Sequence, residues 1–319
     1  MSTKHSSLYR QIISQAWKIS WHHKMMWVFG IFSAFIATGG ALEIFSRNVQ
    51  MIFTPHLPFF WRAEMHFVGG WSKIPLLIML FLLCLGLAVF FVLMIVRSFA
   101  TLILATDKYE GKKMDLGKIW QQTNKNFWLV FWPLLVLKII VGLAILLSIF
   151  PLWLIWSGYN SNIWPWIYPI LFILGVVITI IASLLMVLAG AYATIKKYPL
   201  LKSLKMAWFL FIKNWLTSLE MAVVIFLLNF LFGILTIFGL FIIAIPTFLF
   251  VFFGLLILFP VLTNVAFFLG TLFSILLILW LAGFLGTFHT VAWTLLFKRM
   301  EEGTATAKLH RLANQLFRR

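Results

Sequence analysis

The stretch KMAWFLFIKNW at 205–215 sets the reading of this chain, because its pattern is written three times. QAWKISWHHKMMW occupies 15–27 and KIWQQTNKNFW occupies 118–128. Each copy holds a Trp, a short polar and basic interval, and a second Trp that opens a long apolar run. The Trp pairs are Trp17 and Trp27, Trp120 and Trp128, and Trp208 and Trp215. Around the first Trp of each pair the apolar residues fall at helical spacing: Ile13, Ala16 and Trp17; Leu116, Ile119 and Trp120; Leu204, Ala207 and Trp208. A helix start precedes each set, at Ser6 or Ser7, at Asp115 and at Pro199. A short basic helix with an aromatic face suits a membrane surface. Each phrase therefore reads as an amphipathic helix on the inner leaflet, leading into a span.

The far ends of the apolar runs also repeat. SFAT stands at 98–101, AYAT at 191–194 and TFHT at 287–290, each a small residue, an aromatic, a variable residue and Thr. Thr101, Thr194 and Thr290 are spaced by 93 and 96 residues, and basic residues follow each within a few positions. The expected organisation is three units of surface helix, span out and span back. They cover 1–106, 107–196 and 197–300, with a basic tail at 301–319. Each Thr hydroxyl is placed to bond back to the carbonyl one turn earlier.

Composition sets the solvent. Of 319 residues, 63% are hydrophobic and 10% charged, where a water-soluble domain carries about a quarter charged. So much apolar surface needs lipid around it. The net charge of +17 is confined rather than spread: 20 of the 25 Lys and Arg lie between the N-terminus and Lys24 inclusive, at 106–126, at 196–214 or from Lys298 onward. That asymmetry follows the positive-inside rule and predicts both termini on the cytoplasmic side. Basic residues placed there face anionic headgroups, and nucleic acid is not the expected partner. Cys84 is the only cysteine, so neither an internal disulfide nor a thiolate metal site is available. The polar N-terminus is long for a cleavable signal, and the first span reads as a retained anchor.

Spans of about 20 apolar residues are expected near 25–42, 74–105, 127–156, 164–195, 215–240 and 263–297. A single crossing by the further apolar piece at 241–260 would put the basic tail outside. It therefore reads as a re-entrant or tilted segment hinged near Pro246 and Pro260. A pair of short crossings, giving eight spans, is the alternative. The fold class expected is an all-α integral membrane protein of about six transmembrane helices. The connection 43–73 is the one long external loop, and its His56 and His66 lack the acidic partners a metal site needs.

No P-loop, GxSxG, HExxH or CxxC occurs, and Glu220 is the only acid within an expected span. No catalytic residue, cofactor or metal is expected. Ionisable residues inside a membrane carry a functional hypothesis of their own. Arg97 and Lys138 each lie roughly 15 Å into a span, His289 lies at similar depth, and Glu220 is shallower. One of the two cations is expected to pair with Glu220, leaving the other facing a polar cavity that could hold an anionic headgroup or solute. Snorkelling, or a register-fixing pair, is the structural alternative. Asn229 and Asn264 are expected to hydrogen-bond between helices or to stabilise the bends of the third unit. Ala189 with Ala193, and Ala282 with Gly286, form small-residue pairs for close packing.

The segments AW at 16–17, MMWVFGIF at 25–32 and KSLKMAWFLFIKNW at 202–215, with the basic exit after TFHT, resemble a bacterial inner-membrane group. That group is similar to the membrane domain of glycerophosphoryl diester phosphodiesterases and its stand-alone relatives. In fused members a soluble barrel carries the chemistry, and no catalytic residue transfers to this chain. The resemblance implies a membrane module working beside phospholipids. The leading expectation is a non-enzymatic protein that binds or organises phospholipid, or assists a membrane partner. A transporter or channel for an anionic or amphipathic solute is the alternative, and a lipid-modifying enzyme comes third.

Overall fold

The computed structural model describes residues 8–37, 74–109, 115–156 and 164–304, and every regular element among them is an α-helix. They are α1 (Leu8–His22), α2 (Met26–Ala37), α3 (Ile74–Asp107), α4 (Leu116–Lys125) and α5 (Phe127–Trp156). The remainder are α6 (Trp164–Ile195), α7 (Leu200–Lys213), α8 (Trp215–Leu256) and α9 (Pro260–Glu301). In lipid no water competes for backbone N–H and C=O groups, so an apolar run bonds to itself as helix. Helices α3, α5, α6, α8 and α9 are each long and apolar enough to cross a membrane. The chain is an all-α, multi-pass membrane protein. Of the expected first span only the 12 residues of α2 are described. The loop 43–73 and the tail beyond 304 lie outside the described residues.

The three Trp phrases do form short helices. Helix α1 buries Tyr9, Ile12, Ala16 and Ile19 on one face. Helix α4 starts at Asp115, whose carboxylate accepts from the Lys118 N–H at 3.2 Å and caps the first turn. Helix α7 follows Pro199 and buries Ser203, Ala207 and Leu210. Before it the chain reverses sharply: Lys197 adopts φ 54°, and the Tyr198 N–H donates back to the Tyr192 carbonyl at 3.4 Å. This six-to-one bond closes α6 in a Schellman-type end.

The short helices pack in cyclic order. Helix α4 rests on α3, α7 on α6, and α1 on α9, so each lies against the long helix that comes before it around a closed ring. Helices α3, α6 and α9 touch one another near their C-terminal ends. There the Phe99 ring covers Gly190, and Tyr192 meets Phe297 edge to face at 4.8 Å. Lys298 Nζ lies 3.0 Å from Asp107 Oδ1, and Lys196 Nζ lies 3.1 Å from Glu301 Oε1. SFAT, AYAT and TFHT are buried in this cluster apart from half-buried His289. Thr101 and Thr290 donate back to Arg97 and Gly286 carbonyls at 2.7 and 2.9 Å, whereas the buried Thr194 hydroxyl makes no such bond. Away from the cluster the helices separate, and α3 is exposed on every face from Pro75 to Leu93.

Within 241–260, helix α8 continues through Pro246 to Leu256. Proline deletes one helical hydrogen bond, and in an apolar setting the remaining ladder holds. The reversal at Pro260 is present: Leu258 takes φ 52° and Pro260 opens α9. Helices α8 and α9 form one antiparallel hairpin, with Phe232 beside Phe284 at 5.8 Å and Gly239 beneath Leu277. Each has 42 residues, a length of about 63 Å. Such a helix fits a ~30 Å hydrocarbon core only by tilting strongly or by running past it.

Helix α2 meets α9 at glycines. A methyl at Gly283 would stand 2.7 Å from the Trp27 carbonyl oxygen, and Gly30 and Gly286 are pressed together as closely. Thr287 Oγ1 donates to the Met26 carbonyl at 2.9 Å, and Ser33 Oγ to the Gly286 carbonyl at 3.3 Å. Close approach thus uses Gly286, as expected, with Gly283 and Gly30 in place of Ala282.

Candidate functional site at the α2, α3 and α4 junction

Arg97 lies in the inner part of α3, where that helix leaves its exposed stretch and enters the cluster. Its guanidinium carbon stands 3.9 Å from the centroid of the Trp120 indole on α4. Two threonines hold the indole there. Thr123 Oγ1 donates to the Trp120 carbonyl at 2.8 Å and meets Thr101 Oγ1 at 3.1 Å, and Thr101 in turn bonds the Arg97 carbonyl. Phe29 of α2 lies 5.2 Å from the same indole. Arg97 Nε is buried and makes no hydrogen bond, and no ion pair forms at Arg97 among the described residues. A cation stacked on an aromatic face gains about 0.5–2 kcal/mol. The planar fork of guanidinium N–H groups can donate to two oxygens of a tetrahedral phosphate at once.

Lys138 of α5 approaches the same short helix further along. Its Nζ donates to the Ile36 carbonyl in the last described turn of α2, at 3.2 Å. Phe29 and Ile36 are separated by seven residues, about 10 Å of helix. The structure therefore brings Arg97 and Lys138 to the flanks of α2.

Glu220 is elsewhere. Its Oε2 accepts a hydrogen bond from the Tyr9 hydroxyl of α1. The expected ion pair with Arg97 or Lys138 is not made among the described residues. The physical reason is the cyclic packing, which seats α1 against α8 and α9 while Arg97 belongs to the α3 and α4 contact. His289 lies 6.3 Å from the Trp293 ring, and no cluster of metal-ligating side chains occurs among the described residues. Asn229 is half-buried and Asn264 exposed. Among the described residues neither makes a hydrogen bond that joins two helices.

The Trp residues of the three phrases divide by environment. Trp128, Trp208 and Trp215 are 62%, 48% and 56% exposed, which suits side chains in contact with lipid. Trp17, itself 43% exposed, and half-buried Trp27 also join an aromatic group between helices. Trp17 packs on Phe284 at 5.0 Å, and Trp27 meets Trp280 at 5.6 Å while its Nε1 donates to the Ser20 carbonyl at 2.7 Å. Trp120 is the partner of Arg97. The reading from sequence did not single out Trp21, Phe284, Ser33 or Thr287. A polar residue and a glycine near the start of an apolar run, Ser33 and Gly30, were the available signal for the close crossing. Comparison of the chain with protein-family models, with curated proteins and with solved structures finds no match in any of the three.

Proposed function

We propose that this chain is a non-enzymatic inner-membrane protein that binds anionic phospholipid, with Arg97 as the principal headgroup contact and Lys138 as a second cation further along α2. The observation that carries this reading is the Arg97 stack: a half-buried guanidinium held over Trp120, with no ion pair among the described residues. A phosphate oxygen that meets the accessible part of this guanidinium forms a charge-assisted bond. The basic residues gathered at the ends of α3, α6 and α9 add attraction of about 1 kcal/mol each for anionic lipid.

In this reading the chain consists of three units, each a surface helix with two spans, and both termini are cytoplasmic. The cyclic packing of α1, α4 and α7 on α9, α3 and α6 supports the threefold organisation. The tight contacts of Phe99, Tyr192 and Phe297 at the centre favour lipid binding at the periphery over passage through the middle. The resemblance to the phosphodiesterase membrane domain agrees with a place beside phospholipids.

The test is native mass spectrometry of the full chain released from nanodiscs of mixed phosphatidylglycerol and phosphatidylcholine. Arg97→Leu is expected to lower the retained phosphatidylglycerol relative to phosphatidylcholine by about tenfold, the value of one charge-assisted bond. Arg97→Lys should recover part of it, because an ammonium keeps charge without the planar fork. An unchanged lipid ratio in folded Arg97→Leu protein refutes the assignment. Solute flux in proteoliposomes should stay at the level of empty vesicles.

A further inference from the structure

A second feature lies on another face of α2. Trp27 and Ile31 of α2, Ile243 of α8, and Leu277 and Trp280 of α9 line an open groove of about 700 Å³. That volume falls in the range of about 300–1,000 Å³ typical of small-molecule sites. Lys24 is the one charged residue on its lining, so the groove is apolar along its length and cationic at one side.

The surrounding contacts explain why the groove exists. The glycine crossing fixes α2 against α9 from Trp27 onward, and Gly239 allows Leu277 to lie close against α8 as a floor. Trp27 is held by its bond to the Ser20 carbonyl and by its edge contact with Trp280, so its ring forms a fixed wall. Lys24 is exposed, and no carboxylate pairs with it among the described residues. Next to it, burial and the neighbouring His22 hold the His23 imidazole below its ordinary pKa. Of the side chains at this turn, Lys24 is the one that lines the groove.

We infer that this groove seats an acyl chain of an anionic phospholipid, with the headgroup phosphate on Lys24. A fixed apolar channel beside an uncompensated cation complements an amphiphile whose charge sits at one end of a chain. A neutral headgroup would leave Lys24 without a partner, and a water-soluble anion would leave the channel without one. The inference rests on the proposed lipid-binding function but uses none of the residues of the Arg97 site.

The experiment is photolabelling of the full chain in nanodiscs containing phosphatidylglycerol with a diazirine at the acyl terminus. A parallel arm uses phosphatidylcholine with the same tail, and labelled peptides are mapped. Label is expected to concentrate at Ile31 and Leu277 over the equally lipid-exposed stretch of α3 at 75–93. Leu277→Trp fills the groove and should reduce its labelling to the level of that α3 stretch. Lys24→Gln, an exposed change that leaves the packing intact, should lower the preference for phosphatidylglycerol at the groove by about fivefold. Labelling spread evenly over the groove and α3 overturns the inference. So does a Lys24→Gln protein with unaltered preference, or crosslinks that join two copies through the groove. The two proposals fail separately. Groove labelling that persists when Arg97→Leu leaves lipid retention unchanged sinks the Arg97 site alone, and Arg97-dependent retention without groove labelling sinks the groove alone.

Discussion

Replacing Gly286 by Ala should loosen the seat on which both lipid sites depend. A Cβ at that position would stand 2.8 Å from the Gly30 carbonyl carbon and closer still to its oxygen. The obstruction is backbone, so no side chain can rotate away, and α2 must move off α9. That movement stretches three contacts. They are Ser33 Oγ to the Gly286 carbonyl at 3.3 Å, Thr287 Oγ1 to the Met26 carbonyl at 2.9 Å and Thr290 Oγ1 to Ser33 Oγ at 3.4 Å.

The magnitude follows from opposing terms. Overpacking a close contact costs about 1–3 kcal/mol. Interhelical hydrogen bonds in membranes average about 0.6 kcal/mol each, so losing the three costs about 2 kcal/mol. Alanine returns about 1 kcal/mol through its higher helix propensity. The net expectation is a loss of about 2–4 kcal/mol. Reversible unfolding of the purified protein in mixed micelles measures it, with Gly233→Ala as reference. Nothing lies within 4 Å of a Cβ at Gly233, so that variant should be neutral or stabilised by up to about 1 kcal/mol. Because α2 carries Phe29 beside the Arg97 stack and Trp27 beside the groove, Gly286→Ala should also lower phosphatidylglycerol retention. If Gly286→Ala and Gly233→Ala unfold alike and retain lipid alike, the close-crossing reasoning is refuted.

Two further outcomes are expected. Asp115 caps α4, and its bond to the Lys118 N–H, helped by the Lys118 side chain, holds its carboxyl below the usual value. A folded pKa below the unfolded one means that the cap's contribution is complete above the unfolded carboxylate pKa and is lost as pH falls through the folded value. Protection factors of the first α4 amides, taken relative to the intrinsic exchange rate at each pH, should therefore fall at acid pH, whereas Asp115→Asn, which caps without titrating, should remove that dependence. The ion pair of Lys298 with Asp107 is partly exposed, at 36% and 26%. Asp107→Asn should accordingly cost less than about 1 kcal/mol in the same unfolding assay. A larger loss would mean that this pair, rather than apolar packing, closes the ring of α3, α6 and α9.

Much of the local architecture is written in the chain itself. Hydropathy over each long run and the lack of charge within it require membrane helices, whatever their neighbours. The apolar spacing before Trp17, Trp120 and Trp208, with Asp115 and Pro199 ahead of two of them, specifies short helices at α1, α4 and α7. These are properties of windows of a few turns, and a sequence states them directly. What lies outside such windows depended on which helices came to rest together. Glu220 meets Tyr9 across 211 residues and Thr287 meets Met26 across 261, distances over which no periodicity carries information. Pro246 looked like a hinge because proline removes a hydrogen bond, but whether a helix bends there is decided by what surrounds it. Position within an expected span made Arg97, Lys138 and the shallower Glu220 candidates alike as intramembrane charges. The tertiary structure separated them, because α4 delivered Trp120 to Arg97 while α1 closed the ring beside Glu220.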